Sequence, residues 1–246
     1  MDPKGKVAIV TGASLGIGRA IALAFASRGM KVVLAARNEE KLQAVAKQIR
    51  SDGGDALVCV TDVTKEEQVR HLIGTTAAHY GTIDVLVNNA GVGRFKLIQD
   101  FSLDDYDFMF DVNVKGLFLC TKYAVPHLLD KKGEKEKGKI INIASIAGKT
   151  GFKYGTLYSA TKFAVVGFTW SLREDLKEKG IAVSAICPGG VNTGFGDSPK
   201  SEFVEFALEP EDVAHAAMFL VEESDTANTR ELELKPRYKP RKRSSA

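Results

Sequence analysis

Short, nearly continuous apolar runs alternate with amphipathic stretches from the first residues of the chain. The runs are Val7-Ala8-Ile9-Val10, Val32-Val33-Leu34-Ala35, Ala56-Leu57-Val58-Cys59-Val60, Ile83-Asp84-Val85-Leu86-Val87, Ile140-Ile141-Asn142-Ile143 and Ile181-Ala182-Val183-Ser184-Ala185-Ile186. A strand with one wet face alternates apolar and polar residues, whereas runs this uniform belong to strands covered on both faces, as in a parallel sheet. Between them apolar residues recur three and four apart, as in Ile17, Ala20, Ile21, Ala24 and Phe25, or Leu42, Val45, Ala46 and Ile49. That spacing predicts helices with one buried face. Gly29, Gly53-Gly54 and Gly81 follow the first three as stop signals. About six strand–helix units and a last short strand near Glu231-Leu232-Glu233-Leu234 predict a doubly wound α/β sheet of about seven strands, with helices on both faces, in one domain over residues 1–235.

Composition narrows the class. The 246 residues are 44% hydrophobic and 26% charged, the balance of a globular chain. Six of the 34 basic residues fall in 235–246, which holds no acid, so the remainder carries 28 bases against 31 acids. The formal charge of +3 therefore belongs to a basic tail at 236–246, expected to be flexible. The mildly acidic body argues against nucleic acid as a partner. No apolar run approaches the roughly 18 residues of a membrane span. Three widely spaced cysteines, Cys59, Cys120 and Cys187, fit neither a disulfide framework nor a metal site. With no signal-peptide pattern at the start, a cytoplasmic address is expected. The segment 131–139 reads as a charged, solvated loop.

Thr11-Gly12-Ala13-Ser14-Leu15-Gly16-Ile17-Gly18 joins the first strand to the first helix. Glycines at 12, 16 and 18 permit a tight turn and close backbone approach to a ligand, and the helix that follows aims free N–H groups at the turn, which suits a pyrophosphate. The same stretch also matches Gly-x-Ser-x-Gly, the nucleophile elbow of serine hydrolases. That reading requires earlier strands and a downstream acid and histidine; the first strand begins here, and none of His71, His79, His127 and His215 sits at an evident strand end. After the second strand, where NAD-preferring folds place an acid for the ribose hydroxyl, the chain reads Ala36-Arg37-Asn38. An arginine there pairs with a 2′-phosphate and favours NADPH; a solvated arginine opening a helix is the plainer alternative.

Tyr158-Ser159-Ala160-Thr161-Lys162 opens a long helical segment reaching about Lys179. Four residues apart, the phenol and the ammonium share a helix face. A nearby cation favours phenolate, which makes the tyrosine a usable acid or base. Thirteen residues upstream, after a strand, Ser145 stands where such sheets bind ligands.

These motifs resemble the short-chain dehydrogenases/reductases, over about residues 4–222. The resemblance includes the glycine turn, Asp62-Val63 after the third strand and Asn88-Asn89-Ala90-Gly91 after the fourth. It continues with Asn113 in Asp111-Val112-Asn113-Val114-Lys115-Gly116, then Ser145, Tyr158, Lys162, and Pro188-Gly189-Gly190-Val191-Asn192-Thr193 after the sixth strand. It implies a Rossmann-type fold, an NADP(H) cofactor and carbonyl reduction. Tyr158 would donate a proton to the carbonyl oxygen, Ser145 would hydrogen-bond that oxygen, Lys162 would lower the Tyr158 pKa and hold the nicotinamide ribose, and Asn113 would place a relay water. Thr11, Gly12, Ser14, Gly16, Ile17 and Gly18 would surround the pyrophosphate, and Arg37 with Asn38 the 2′-phosphate. Asp62 and Val63 would meet the adenine, Asn89, Ala90 and Gly91 the ribose region, and Pro188, Gly189, Val191 and Thr193 the nicotinamide.

Two features depart from the family pattern. The chain ends in Asn228-Thr229-Arg230-Glu231-Leu232-Glu233-Leu234-Lys235-Pro236 where many members carry a Gly-rich segment used in tetramers, so a homodimer and a homotetramer both stay open. Only 17 residues separate Thr193 from Glu211, which predicts a short lid with Phe195, Phe203 and Phe206 as its apolar contacts. Arg94, Ile146, Phe152, Tyr154 and Phe195 are candidates for the substrate side. The expected activity is NADPH-dependent reduction of a small ketone or aldehyde. A 3-oxoacyl-carrier-protein reductase shares every motif, and a non-catalytic NADP-binding module would bind without turnover.

Overall fold

The computed structural model describes residues 1–130, 138–196, 207–224 and 226–237. Its strands are β1 Val7–Thr11, β2 Lys31–Ala36, β3 Asp55–Val60, β4 Val85–Asn88, β5 Gly138–Ile143, β6 Ile181–Pro188 and β7 Glu231–Leu234. Its helices are α1 Gly16–Ser27, α2 Glu39–Ser51, α3 Glu66–Tyr80, α4 Leu103–Phe110, α5 Leu117–Leu129, α6 Thr156–Leu176 and α7 Pro210–Glu222. The strands form one sheet in the order β3-β2-β1-β4-β5-β6-β7, with every pairing parallel.

Alternate residues of one strand feed two cores. Ala8 and Val10 of β1 pack with Ile21, Phe25, Leu42, Val213 and Leu220, under α1, α2 and α7. Val7 and Ile9 face the other way and pack with Leu72, Leu119, Leu128 and Leu176, under α3, α5 and α6. This two-sided burial is why the central strands read as unbroken apolar runs. Among the described residues no helix is long and apolar enough to cross a membrane.

Two expectations shift at element ends. The fourth strand begins at Val85 rather than Ile83, because buried Asp84 ties the strand bottoms together. Its carboxylate accepts from the Val7 N–H at 2.8 Å and its carbonyl from the Lys139 N–H at 2.9 Å. The long helix stops at Leu176 and finishes as a 3-10 turn, Lys177–Lys179, with Gly180 at φ 80°. Phe203, Phe206, most of the segment 131–139 and the tail from 238 onward lie outside the described residues.

Strand order reverses between β1 and β4, so their carboxyl ends splay apart and open a crevice. Thr11 closes its floor: its hydroxyl donates to the Val87 carbonyl (3.2 Å) and accepts from the N–H groups of Asn89 and Ala90 (2.9 and 3.0 Å).

Candidate active site

Above that floor lies a cleft of about 1280 Å³, lined from all the strand-end loops of β1 through β6. A smaller cavity of about 390 Å³ between α1, α2 and α7 holds none of the candidate residues.

One end of the cleft is built by β1, α1 and β2. Gly12 and Gly16 adopt φ +67° and +55°, a region that favours glycine. Helix α1 starts behind them with no side-chain cap and no acid in its first turn, so its amide hydrogens and positive dipole end stay available to an anion. Ser14, Gly16 and Ile17 line the cleft; Gly18 does not. A Cβ on Gly18 would lie 2.3 Å from the Gly12 carbonyl oxygen, so this glycine seats the helix against the turn. Thr11 is likewise buried beneath the cleft, its hydroxyl consumed by β4. Asn89 lines the cleft while its amide donates back to the Thr11 carbonyl at 2.8 Å.

Arg37 and Asn38 stand at the rim beyond β2. The Asn38 side chain caps α2 by accepting from the Lys41 N–H at 2.9 Å. Lys41 lines the cleft together with Arg37, and neither side chain makes an ion pair or hydrogen bond with any described residue. Lys41 was not foreseen, although its place four residues after Arg37 at a helix start was readable. Asp62 and Val63 form the opposite lip; Asp62 is steadied by accepting from the Thr64 N–H and hydroxyl at 2.9 and 2.8 Å. The glycine turn, open helix end and two unpaired cations fit a dinucleotide bearing a 2′-phosphate.

The other end is built by β4, β5, α6 and β6. Tyr158 and Lys162 share a face of α6, with the Lys162 ammonium 5.7 Å from the phenol ring centre. Lys162 is buried and donates to the Ile143 carbonyl at 3.0 Å. Burial draws its ammonium from the usual 10.5 down to about 8. Burial also pushes the Tyr158 phenol up to about 12, while a hydrogen bond with the Ser145 hydroxyl acts in the opposite sense. Burial, rather than the neighbouring cation, sets the direction of that shift. The Ser145 oxygen accepts from the Ala147 N–H at 3.1 Å, fixing it at the mouth of a short 3-10 turn, Ile146–Gly148.

Asn113 sits in a π-helical turn, Asp111–Gly116, between α4 and α5. Its side chain accepts from the Val92 N–H (2.8 Å) and donates to the Val92 carbonyl (2.9 Å) and the Thr161 hydroxyl (3.0 Å). It clamps the loop after β4 to α6 and does not line the cleft. A Cβ on Gly91 would lie 3.5 Å from its Oδ1 and 3.7 Å from Lys162 Nζ, so the two groups flank one glycine.

Ala90, Gly91, Pro188, Gly189, Val191 and Thr193 line the cleft as expected, as do Ile146, Phe152, Tyr154 and Phe195. Arg94 is the exception. Its guanidinium binds Asp105 and lies 4.4 Å over the Phe108 ring, while Lys96 binds the same carboxylate at 2.7 Å. The two cations hold the Asp105 carboxyl well below the usual carboxylate range, with help from Ser102. Buried Asp105 holds Arg94, which does not line the cleft. Phe95 takes that place; as a lone aromatic in a loop it gave no sequence signal.

The chain is similar to known proteins. A family model described as short chain dehydrogenase matches residues 6–202. An uncharacterized oxidoreductase of Staphylococcus aureus (strain MRSA252) is 40% identical over 231 residues, 94% of this chain and 97% of that one. A 3-oxoacyl-[acyl-carrier-protein] reductase of Synechocystis is 41% identical over 222 residues, covering 87% of this chain and 88% of that one. The crystal structure of a metagenomic short-chain oxidoreductase in complex with NADP superposes with a TM-score of 0.84 at 34% identity, over 97% of this chain and all of that one. A tyrosine and lysine on one helix face, a serine at the neighbouring strand end and a glycine turn across the crevice thus occur here in a chain that belongs to the short-chain dehydrogenase family of oxidoreductases.

Proposed function

We propose that this protein is an NADPH-dependent carbonyl reductase. The observation that carries the reading is the continuity of one cleft, from unpaired Arg37 and Lys41, past the open end of α1, to Tyr158, Ser145 and Lys162. The glycine turn, the open end of α1, Arg37 and Lys41 would hold NADPH, which would supply the hydride for the carbonyl carbon, and the NADP complex of a 34% identical short-chain oxidoreductase supports this cofactor. The carbonyl electron pair moves to oxygen, which takes the Tyr158 proton to give the alcohol. The phenol carries its proton at neutral pH, and the Lys162 ammonium beside it favours the phenolate left when that proton is given up. Ser145 supplies a second hydrogen bond to the developing oxyanion. Lys162, spending one of its three donors on Ile143, has two left for the nicotinamide ribose and for the returning proton. Asn113 positions the Gly91–Val92 backbone beside that lysine.

Tyr158→Phe tests this. It should lower kcat/KM for ketone reduction by about 10²-fold or more with NADPH affinity retained, since a positioned acid contributes roughly 10²–10⁴. Unchanged turnover would defeat the mechanism; NADPH binding without turnover of any carbonyl in the unaltered protein would favour a binding module. The Synechocystis relative supports a second reading, reduction of 3-oxoacyl thioesters. A panel of ketones, aldehydes and 3-oxoacyl thioesters separates the two.

Three features accompany the proposal. The buried free thiols Cys59, Cys120 and Cys187 support a reducing, cytoplasmic address. Exposed Leu103, Phe118, Phe163 and Trp170 on α4, α5 and α6 support a homo-oligomer. Pro236, the first residue of the expected tail, lies against Gly189 beside the catalytic end, so the truncation that tests the tail spares it. Removal of 238–246 should leave turnover of small carbonyls intact, measured by NADPH absorbance.

A further inference from the structure

Three phenylalanines from three separate loops converge on the Tyr158 ring. Ring centres lie 5.5 Å away for Phe95, 5.8 Å for Phe195 and 6.4 Å for Phe152. Phe95 and Phe152 also meet each other at 5.8 Å. Their seats are cut by glycines: a Cβ on Gly93 would lie 2.8 Å from Phe195 and 3.0 Å from Phe95, one on Gly155 2.3 Å from Phe152, and one on Gly196 2.6 Å from Phe95. The rings therefore rest directly on main chain. Phe152 and Phe195 nevertheless stay 48% and 42% exposed and line the cleft.

Among the described residues, the cleft lining at this corner holds two cations, Lys153 and Lys162, and no acid. Arg94 and Lys96, from the same loop as Phe95, are both turned onto buried Asp105. Asp62, Arg37 and Lys41 belong to the far end of the cleft. Lys153 lies 4.8 Å from the Tyr154 ring centre, and Lys162 sits below Tyr158 on Ile143.

We infer that Phe95, Phe152 and Phe195 form a recognition slot for the aromatic group of an uncharged aryl ketone or aryl aldehyde, whose carbonyl oxygen meets Tyr158 and Ser145. Aromatic rings gain from edge-to-face and tilted contacts at the spacings these phenylalanines already adopt, which a saturated ring of equal bulk does not. A carboxylate beside the carbonyl would lose water among the phenyl rings, where the only exposed cation of the described lining is Lys153, drawn over Tyr154. The slot rests on the carbonyl-reductase reading, and its test separates the two.

The test compares kcat/KM, with NADPH and the full chain, for acetophenone, cyclohexyl methyl ketone and phenylglyoxylate. Acetophenone should exceed its cyclohexyl counterpart by about 10-fold and phenylglyoxylate by about 100-fold. Phe152→Leu and Phe195→Leu should each draw the first ratio toward one, with circular dichroism and NADPH affinity verifying that the variants fold. Equal rates for the aryl and cyclohexyl ketones, a preference for phenylglyoxylate, or ratios untouched in both variants would overturn the slot. If no ketone turns over, calorimetry on the NADP⁺ complex decides. Preferential binding of acetophenone over cyclohexyl methyl ketone keeps the slot and removes the reaction; absence of that preference removes the slot.

Discussion

Two pairs of cations on strand-end loops have opposite fates, one facing the cleft and one turned away from it. Arg37 and Lys41 follow β2 and face the cleft with no partner among the described residues, whereas Arg94 and Lys96 follow β4 and are both held by one buried carboxylate. Local sequence does not distinguish them: each pair begins a few residues after an apolar strand. The difference is made by Asp105, which α4 delivers through a capping box with Ser102. A basic residue near a strand end is thus a ligand-binding candidate only when no buried acid lies within reach. One end of the cleft is left electrostatic and the other apolar, which suits a phosphorylated cofactor and a neutral substrate.

Reversing one member of the open pair should produce the largest effect. Arg37→Asp removes a charge-assisted contact to a 2′-phosphate and sets a repulsive charge in its place, so kcat/KM with NADPH should fall by about 10²-fold while NADH is little affected. Arg94→Ala should leave the NADPH-to-NADH ratio where it was. The contrast breaks if both variants shift that ratio equally, or if the unaltered protein uses the two cofactors equally well.

The held pair should instead report on stability. Asp105→Asn leaves Arg94 and Lys96 without their carboxylate and should lower the thermal midpoint by several degrees. It should also flatten the acid limb. The Asp105 pKa is depressed in the folded protein, so its contribution is present above the ordinary carboxylate range and fades as pH falls below it. The variant lacks that component, and its difference from the unaltered protein should narrow toward pH 3 in denaturant titrations. A constant difference across that range would mean the ion pairs are not its source.

Legibility in the sequence follows the same division. Strand and helix order was readable because two-sided burial imposes an apolar pattern on residues adjacent in sequence, and β1 shows this residue by residue. The glycine turn and the Tyr158–Lys162 pair were readable because each is a local motif. Other features depend on which distant segments meet. Thr11 and Gly18 fall in the right motif but serve the floor and the helix seat. Asn113 is spent on Val92 and Thr161, 21 and 48 residues away. Phe95 enters the site because Gly93 and Gly196 leave room for its ring. Propensity and spacing carry no record of such encounters.

Lys162 is a third kind of cation, buried yet facing a carbonyl oxygen in place of a carboxylate. Its ammonium is charged in the unfolded chain up to its ordinary value of 10.5 but loses its proton near 8 when folded. Between those values the unfolded chain binds more protons, so stability rises with pH there; below 8 the cost of the buried charge is carried in full. The rise from pH 8 to pH 10 should be about 2 kcal/mol. Tyr158 opposes it only above pH 10, since its folded pKa is raised from 10 to about 12 and the unfolded phenol ionises first. Lys162→Met should abolish the rise in cofactor-free protein, measured as the change in unfolding free energy relative to the unaltered chain. Persistence of the full slope in the variant would mean that Lys162, like Arg94, already has its charge met inside the fold, and would place it with the held cations.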